Sequence, residues 1–382
     1  MKVTGPWLDA PGTQAVLGML TAAGHQALVV GGCVRNALLG EPVSDVDIAT
    51  DARPETVSAL AETAGLRAVP TGFAHGTVTV VAMGEGHEVT TFRHDAETFG
   101  RHARVLFGAD LAQDAARRDF TMNALYAQAD GTVIDPLGGL PDLIARRVRF
   151  VGDPQERIAE DSLRILRFFR FHAQYGDPAQ GIDAEALAAC TQHSAMLDTL
   201  SRERITAELR KLLAAADPAP AVAAMAQTGV LSHVLPGAQP QALPLLVHFE
   251  GGQPGGWLRR LALLGSAEGL RLSNAESRDF GKIRAAFATT DTPAAQGWRL
   301  GERLAADAIL GLAALLETPP PAHWQAEVAR GAGARFPLKP ADLMPALQGP
   351  ALGEALKSAQ EVWLAADLRP TRAELLARLG LA

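Results

Sequence analysis

Two aspartates one residue apart, Asp45 and Asp47 in "SDVDIAT", are residues whose type and spacing suit chemistry. On a strand, an i, i+2 pair projects both carboxylates from one face, roughly 6.6–6.8 Å apart. Left alone they repel. A divalent cation between them removes the difficulty, and Mg²⁺ suits carboxylate oxygens completed by water and substrate phosphates. The bland alternative is a pair of solvated acids on a surface strand. Upstream, Gly31-Gly32 follows the apolar run "QALVV" and opens a short helix. Glycine there lets the backbone approach an anion, and the helix terminus offers N–H groups. Arg35, one turn into that helix, can add a charged fork for phosphate oxygens. A phosphate cradle followed by a metal pair points to nucleotide chemistry.

Metal-assisted transfer usually wants a third acid. Glu88 in "HEVTTFR" is the candidate, because Glu88, Thr90 and Phe92 share one strand face and a neighbouring "DVDIAT" would complete the cluster. In "RRDFTMNAL", residues 117–125, an acid and an apolar, helix-like run follow two adjacent arginines that cannot point the same way, and Arg118 is favoured to face a triphosphate. Asp119 reads as a salt-bridge partner that holds an arginine in place. The segment "AEDSLRILRFFRF", residues 159–171, carries Asp161 and Arg164 at i, i+3, with Arg167 and Arg170 beyond. Apolar residues surround this predicted helix on every side, so it is expected to be buried between domains, and buried arginines need anionic or polar partners. An Asp/Arg pair offers acceptors and donors to the pairing edge of a base, each good bidentate contact being worth roughly 1–3 kcal/mol of discrimination. An internal ion pair between domains is the equal alternative.

The elements that must hold these residues can be read from periodicity and turn signals. "QALVV" and "DVDIAT" are predicted strands, residues 33–39 a helix stopped by Gly40, and "ARPETVSALAETAG" a helix with proline near its start. "GTVTVVAM" and "HEVTTFR" flank "GEG" and predict a β-hairpin. The expected fold class is α+β with a mixed sheet. From Arg146 onward strands fade and helices are predicted over 154–175, 182–195, 201–215 and 219–229, with more to the end.

Bulk composition bounds the remaining classes. The 382 residues are 48% hydrophobic and 20% charged, which fits a folded chain of two or three domains and excludes a disordered one. No uncharged apolar stretch reaches the roughly 18 residues that span a bilayer, and the N-terminal residues lack a secretory pattern. A cytoplasmic location with no membrane partner is expected. Cys33 and Cys190 are too few for a disulfide framework or zinc cluster and read as buried residues. A net charge of −7 argues against wholesale nucleic-acid binding, yet residues 146–170 hold seven arginines against four acids, which allows a basic stripe.

Five segments in order, "GGCVRNALLG…SDVDIAT", "RRDFTMNAL", "DPLGGLPDL", "EDSLRILRFFRF" and "RERITAELRKLL", resemble the motifs of class II tRNA nucleotidyltransferases and bacterial poly(A) polymerases. The resemblance covers roughly residues 27–213. It implies a polymerase-β-like nucleotidyltransferase head with a mixed sheet, followed by an all-helical neck, body and tail: 1–145 catalytic head, 146–213 neck with base recognition, 214–382 body and tail for tRNA binding. It implies Asp45 and Asp47 as Mg²⁺ ligands, Gly31, Gly32, Arg35 and Arg118 as triphosphate contacts, and Asp161 and Arg164 as readers of the incoming base, with Arg167 and Arg170 as further basic neck positions. Two positions depart from the family pattern. Asn36 stands where aspartate is common, and Phe99 stands where an aspartate is usual in the loop "RHDAETFGRHARV".

The expected activity is addition of C, C and A to the tRNA 3′ end from CTP and ATP, without a nucleic-acid template and with release of pyrophosphate. The implied partners are tRNA, through its acceptor stem and 3′ end, and the two nucleotides; no obligate protein partner is evident. Rival expectations are poly(A) synthesis, a CC-adding or A-adding specialist and, from another class, a non-catalytic RNA-binding protein.

Overall fold

The structure is a computed structural model that describes residues 1–99, 102–108, 110–252, 256–344 and 346–381. It divides into two units, one formed by Met1–Leu200 with Thr228–His233 and the other by Ser201–Gln227 with Val234–Ala382.

The first unit contains helices α1 (Pro6–Asp9) and α2 (Pro11–Ala22), strand β1 (Ala27–Val30), helix α3 (Gly32–Leu39), strand β2 (Asp47–Thr50) and helix α4 (Pro54–Thr63). Strands β3 (Arg67–Gly72), β4 (Thr77–Ala82) and β5 (Glu85–Thr91) follow, then β6 (Arg93–Phe99) and β7 (His102–Phe107) as a separate ribbon. Helix α5 (Leu111–Ala116), strands β8 (Tyr126–Ala127) and β9 (Val133–Ile134), and helices α6 (Leu140–Ile144), α7 (Pro154–Glu160), α8 (Leu163–Tyr175) and α9 (Ala184–Gln192) complete it. The main sheet runs β3-β4-β5-β2-β1-β8-β9. It is mixed: β2 and β5 are parallel, and the other described pairs are antiparallel.

Local sequence explains why these elements form where they do. Proline opens α2 and α4 where its missing N–H costs nothing. The β4–β5 hairpin turns at Met83 and Gly84, both at positive φ (51° and 85°), the geometry of a type I′ turn. Alternation then decides which residues face the cleft. In β2 Ile48 is fully buried while Asp47, its neighbour, is exposed. On one face α2, with Val16, Leu17 and Leu20 buried, packs against β1, β4 and β5. A second core gathers Leu28, Val30, Ala49, Phe92, Ala124, Tyr126 and Val151.

An aromatic cluster fastens α8 to this unit. Phe120 lies 5.0 Å from Phe150 and 4.8 Å from Phe171, and Phe150 stacks on Phe168 at 5.6 Å, ring centre to ring centre. All four rings are buried, each contributing about 2–3 kcal/mol of apolar transfer. These aromatic partners of α8 all lie within its own unit.

Three expectations need correction. The helix predicted over 154–175 is two helices, because Asp161 is extended (φ −151°, ψ 105°) and its Oδ1 accepts from the Leu163 N–H at 3.1 Å, starting α8 afresh. Asp161 and Arg164 therefore do not share a helix. In "RRDFTMNAL" the apolar run is a 3₁₀ turn, Thr121–Asn123, leading into β8. Asp45 lies just before β2, which begins at Asp47. Of the loop at 93–105, Gly100 and Arg101 lie outside the described residues, as does the side chain of Phe99.

The second unit is helical among its described residues, with α10 (Arg202–Leu213), α11 (Ala219–Gln227), the last residue of α12 (Val230–Val234, whose first four residues belong to the first unit), α13 (Leu243–Glu250), α14 (Trp257–Leu264), α15 (Asn274–Ala286) and α16 (Pro293–Leu315) leading to the C-terminal helices. Fully buried Arg260 binds Glu250 and the carbonyls of Leu213, Ala215 and Ala216, so its charge is matched and its donors are satisfied. Among the described residues no helix is long and apolar enough to cross a membrane.

Candidate active site

Glu88 reaches the paired acids through strand register. Asp47 on β2 stands directly opposite Glu88 on β5 in the parallel ladder, and Asp45 lines the same cleft. That cleft has a volume of about 700 Å³ and also takes in Ser44, Thr79 and Glu85. Ser44 donates to Asp45 Oδ2 at 3.0 Å. Partial burial pushes the Asp47 carboxyl above its ordinary range, Glu88 and Asp45 push it further, and Arg118 opposes them.

The glycine turn lies against this acid pair. Gly31 adopts φ 74°, ψ −117°, a conformation that side-chain-bearing residues avoid, and caps α3 while its N–H donates to Leu125 O. Cys33, in the first turn of α3, lies beside Asp47; burial and then that carboxylate push its thiol up to about 11, so it is an inert thiol in the folded protein. Arg118 places Nη1 against Gly31, 3.3 Å from where a Cβ would stand. Thus Arg118, Gly31, Asp47 and Glu88 converge.

Arg35 does something different from the expected phosphate contact. Its side chain is 6% exposed, and its donors go to protein: Nε and Nη2 to Asn36 Oδ1, Nη1 to Asn123 Oδ1, and Nη2 also to the Tyr175 hydroxyl at 2.8 Å. The guanidinium lies 4.1 Å from the centre of the Tyr175 ring. Asn36 accepts from Arg35 and donates to Pro42 O at 2.8 Å, the second bond being one that a carboxylate could not make.

The arginines of α8 are tied to acids and carbonyls. Arg164 binds Glu160 at 2.5 Å, Arg157 O at 2.9 Å and Arg117 O at 3.2 Å. Arg167 binds Asp119 through Nε at 2.7 Å and through Nη2. Asp119 therefore holds an arginine, and that arginine is Arg167. Burial alone would raise the Asp119 carboxyl, but Arg167, Asn123 and the Phe120 N–H pull it below the usual range. Arg170 donates to Gln174 at 3.0 Å and lies 4.5 Å from the Phe171 ring centre.

Sequence reasoning missed Asp114, Tyr126, Asn123, Glu160 and Tyr175, which make these contacts. Asp114 sits in α5, and only its contacts with Arg118 and Tyr126 in the folded chain reveal its part.

A divalent cation fits the residues present. The donors are hard carboxylate oxygens at a solvent-open cleft, and like charges face one another with Asp47 already reluctant to ionise. Among the described residues no group of three or more His, Cys, Asp or Glu is close enough to hold a metal unaided. Mg²⁺, which usually keeps waters and substrate oxygens in its shell, tolerates so sparse a protein site.

A mixed sheet with paired acids beside a glycine turn and an arginine defines a polymerase-β-like nucleotidyltransferase. Residues 27–149 match the poly(A) polymerase head domain, and residues 181–241 match a probable RNA- and SrmB-binding site of polymerase A. The chain is 38% identical over 322 residues to the CCA-adding enzyme of Geobacillus thermodenitrificans, covering 83% of this chain and 74% of that one. With the Levilactobacillus brevis CCA-adding enzyme it shares 44% identity over 217 residues, 56% of this chain and about half (53%) of that relative's length. The crystal structure of the Bacillus stearothermophilus CCA-adding enzyme in complex with CTP superposes with a TM-score of 0.76 at 28% identity, covering 99% of this chain and 98% of that one. The chain belongs to the class II CCA-adding enzyme family.

Proposed function

We propose that this chain adds C, C and A to the 3′ end of tRNA from CTP and ATP, without a nucleic-acid template, releasing pyrophosphate at each step. The observation that carries the reading is the parallel register of Asp47 and Glu88, with Asp45 in the same cleft and Arg118 at the glycine turn. Likeness to CCA-adding enzymes along most of the chain supports it.

The tRNA 3′ hydroxyl attacks the α-phosphorus in line, its O–P bond forming as the bond to the bridging oxygen of pyrophosphate breaks. Asp45 and Asp47 would hold Mg²⁺, with waters and substrate oxygens completing its shell and Glu88 lining the cleft opposite Asp47; such an ion would supply charge neutralisation at the phosphates and a more acidic 3′ hydroxyl. Gly31 and Gly32 let the triphosphate approach the start of α3, and Arg118 offsets charge on it. Arg35 positions α3 by tying it to Asn123 and Tyr175. Asp161 and Arg164 read the pairing edge of the base, and Arg167 and Arg170 keep α8 basic beside it. Positioning and charge neutralisation supply most of the rate.

On this reading residues 1–145 are the catalytic head, 146–213 the neck and 214–382 the tRNA-binding body and tail. On the same reading the enzyme works in the cytoplasm, with tRNA and both nucleotides as its partners. The test supplies tRNA lacking its last three nucleotides with Mg²⁺ and CTP, ATP or both. CTP alone should extend it by two residues and both together by three. Long A tracts would instead assign poly(A) synthesis, a stop after two residues with both nucleotides a CC-adding specialist, and no incorporation would end the reading.

A further inference from the structure

The guanidinium of Arg118 is held from one side. Nε donates to the Tyr126 hydroxyl at 3.0 Å, and Nη2 donates to Asp114 Oδ2 at 3.2 Å. The Tyr126 hydroxyl donates to that same Asp114 oxygen at 2.7 Å, so the three groups close a triangle. The Tyr126 ring centre lies 5.2 Å from the guanidinium carbon. Nη1 is the nitrogen left facing Gly31.

Fold topology puts each member where it is needed. Tyr126 pairs across the sheet with Val30, the residue before the glycine turn. Asp114 comes from α5, one turn before Arg118, and its Oδ1 also accepts from Arg117 Nε at 2.8 Å. Tyr126 is fully buried and Asp114 nearly so. Burial raises the Asp114 carboxyl, but Arg118, Arg117 and the Tyr126 hydroxyl pull it below its usual range, so it is ionised under working conditions. Burial pushes the Tyr126 phenol up, which keeps it a donor.

We infer that Asp114 and Tyr126 are positioning residues that lock Arg118 in the one rotamer presenting Nη1 to the glycine turn and Asp47, so that a triphosphate meets a cation already in place. The inference rests on the reading of Arg118 as a triphosphate contact. A free arginine loses considerable rotamer freedom when it binds, and a pre-ordered one has lost it during folding. Neither Asp114 nor Tyr126 lines the cleft, so both act through Arg118.

The test uses the full chain with Mg²⁺ and measures binding of inorganic tripolyphosphate by calorimetry, KM and kcat for CTP and ATP, and thermal unfolding. Tyr126→Phe keeps the ring and removes one hydroxyl; Asp114→Asn keeps the volume and removes the charge. Tyr126→Phe should weaken tripolyphosphate binding and raise both nucleotide KM values about fivefold, the effect of one lost hydrogen bond. Cytidine binding and the preference between CTP and ATP should not change. In an Arg118→Ala background, Tyr126→Phe should add nothing, because the two residues act as a unit. Wild-type tripolyphosphate affinity in a folded Tyr126→Phe protein, while Arg118→Ala lowers it, would overturn the inference alone. Wild-type affinity in Arg118→Ala would overturn the underlying reading as well. If Asp114→Asn does not fold, Tyr126→Phe still decides.

Discussion

Asp47→Asn should make the metal-free protein more stable. Asp47 and Glu88 are direct partners on adjacent strands, which places two like charges about 5 Å apart. Coulomb's law at an effective dielectric of about 20 gives about 3 kcal/mol of repulsion. Both side chains meet solvent, and physiological salt with water at the cleft reduces this to about 1 kcal/mol. In a chain of this size that corresponds to a rise of about 2 °C in the unfolding temperature.

The pH dependence follows from the direction of the Asp47 shift. Its folded-state pKa is raised, so the folded protein binds the proton more tightly than the unfolded chain does. The penalty for ionising Asp47 is complete above the folded-state value and gone below the unfolded value of 3.8. The advantage of Asp47→Asn should therefore be largest at pH 7.5 and shrink as pH falls towards 4. Unfolding scans of both proteins in EDTA, repeated with Mg²⁺, provide the assay. Mg²⁺ should stabilise the wild type more than the variant and support incorporation only in the wild type. A variant less stable than wild type at pH 7.5 in EDTA would refute the electrostatic reasoning.

Asp119→Ala removes the carboxylate shared by Arg167, Asn123 and the Phe120 N–H, and should cost about 3 kcal/mol in urea unfolding, the lower end for breaking a buried pair; a loss below about 1 kcal/mol would mean that the pair is not holding α8. Arg164→Ala should reduce discrimination between CTP and ATP about tenfold while changing triphosphate affinity little, as expected for one lost base contact, and unchanged fidelity in single-turnover assays would remove Arg164 from base reading.

The parts of this fold that were legible in the sequence are those with local causes. The glycine turn, the hairpin and the acid-bearing strand follow from turn chemistry and alternation, which need no partner to be recognised. Glu88 was legible conditionally: its face was readable, and its place opposite Asp47 depended on which strand lay alongside. The break at Asp161 was hidden because the apolar pattern runs across it, and one carboxylate accepting a backbone N–H overrides weak helix propensity. "FTMNAL" was misread because a short buried run has the same apolar signature whether it becomes a turn and strand or a helix. Asp114 was illegible for another reason. Its significance lies in a tertiary contact with Tyr126, and nothing in the helical pattern of α5 marks it.

The arginines around the candidate site divide by what already holds them. Arg35 Nη1 donates to Asn123, Asn123 donates to Asp119 at 2.9 Å, and Asp119 accepts from Arg167, so a continuous polar thread runs from α3 to α8 through "DFTMN". Redirecting Arg35 to a phosphate would leave Asn123, Asn36 and Tyr175 without their donor in a largely buried setting, a cost comparable to the worth of a new arginine–phosphate hydrogen bond. Arg118 faces no such loss, since the nitrogen at the glycine turn lies outside its triangle with Asp114 and Tyr126. A nucleoside triphosphate has a limited span between its phosphates and its base. On the proposed reading, with no template strand to set it, the protein itself must fix the distance between the glycine turn and α8. On that reading the thread from Arg35 to Arg167 supplies the constraint, so that Arg35, expected as a phosphate contact, serves better as a strut.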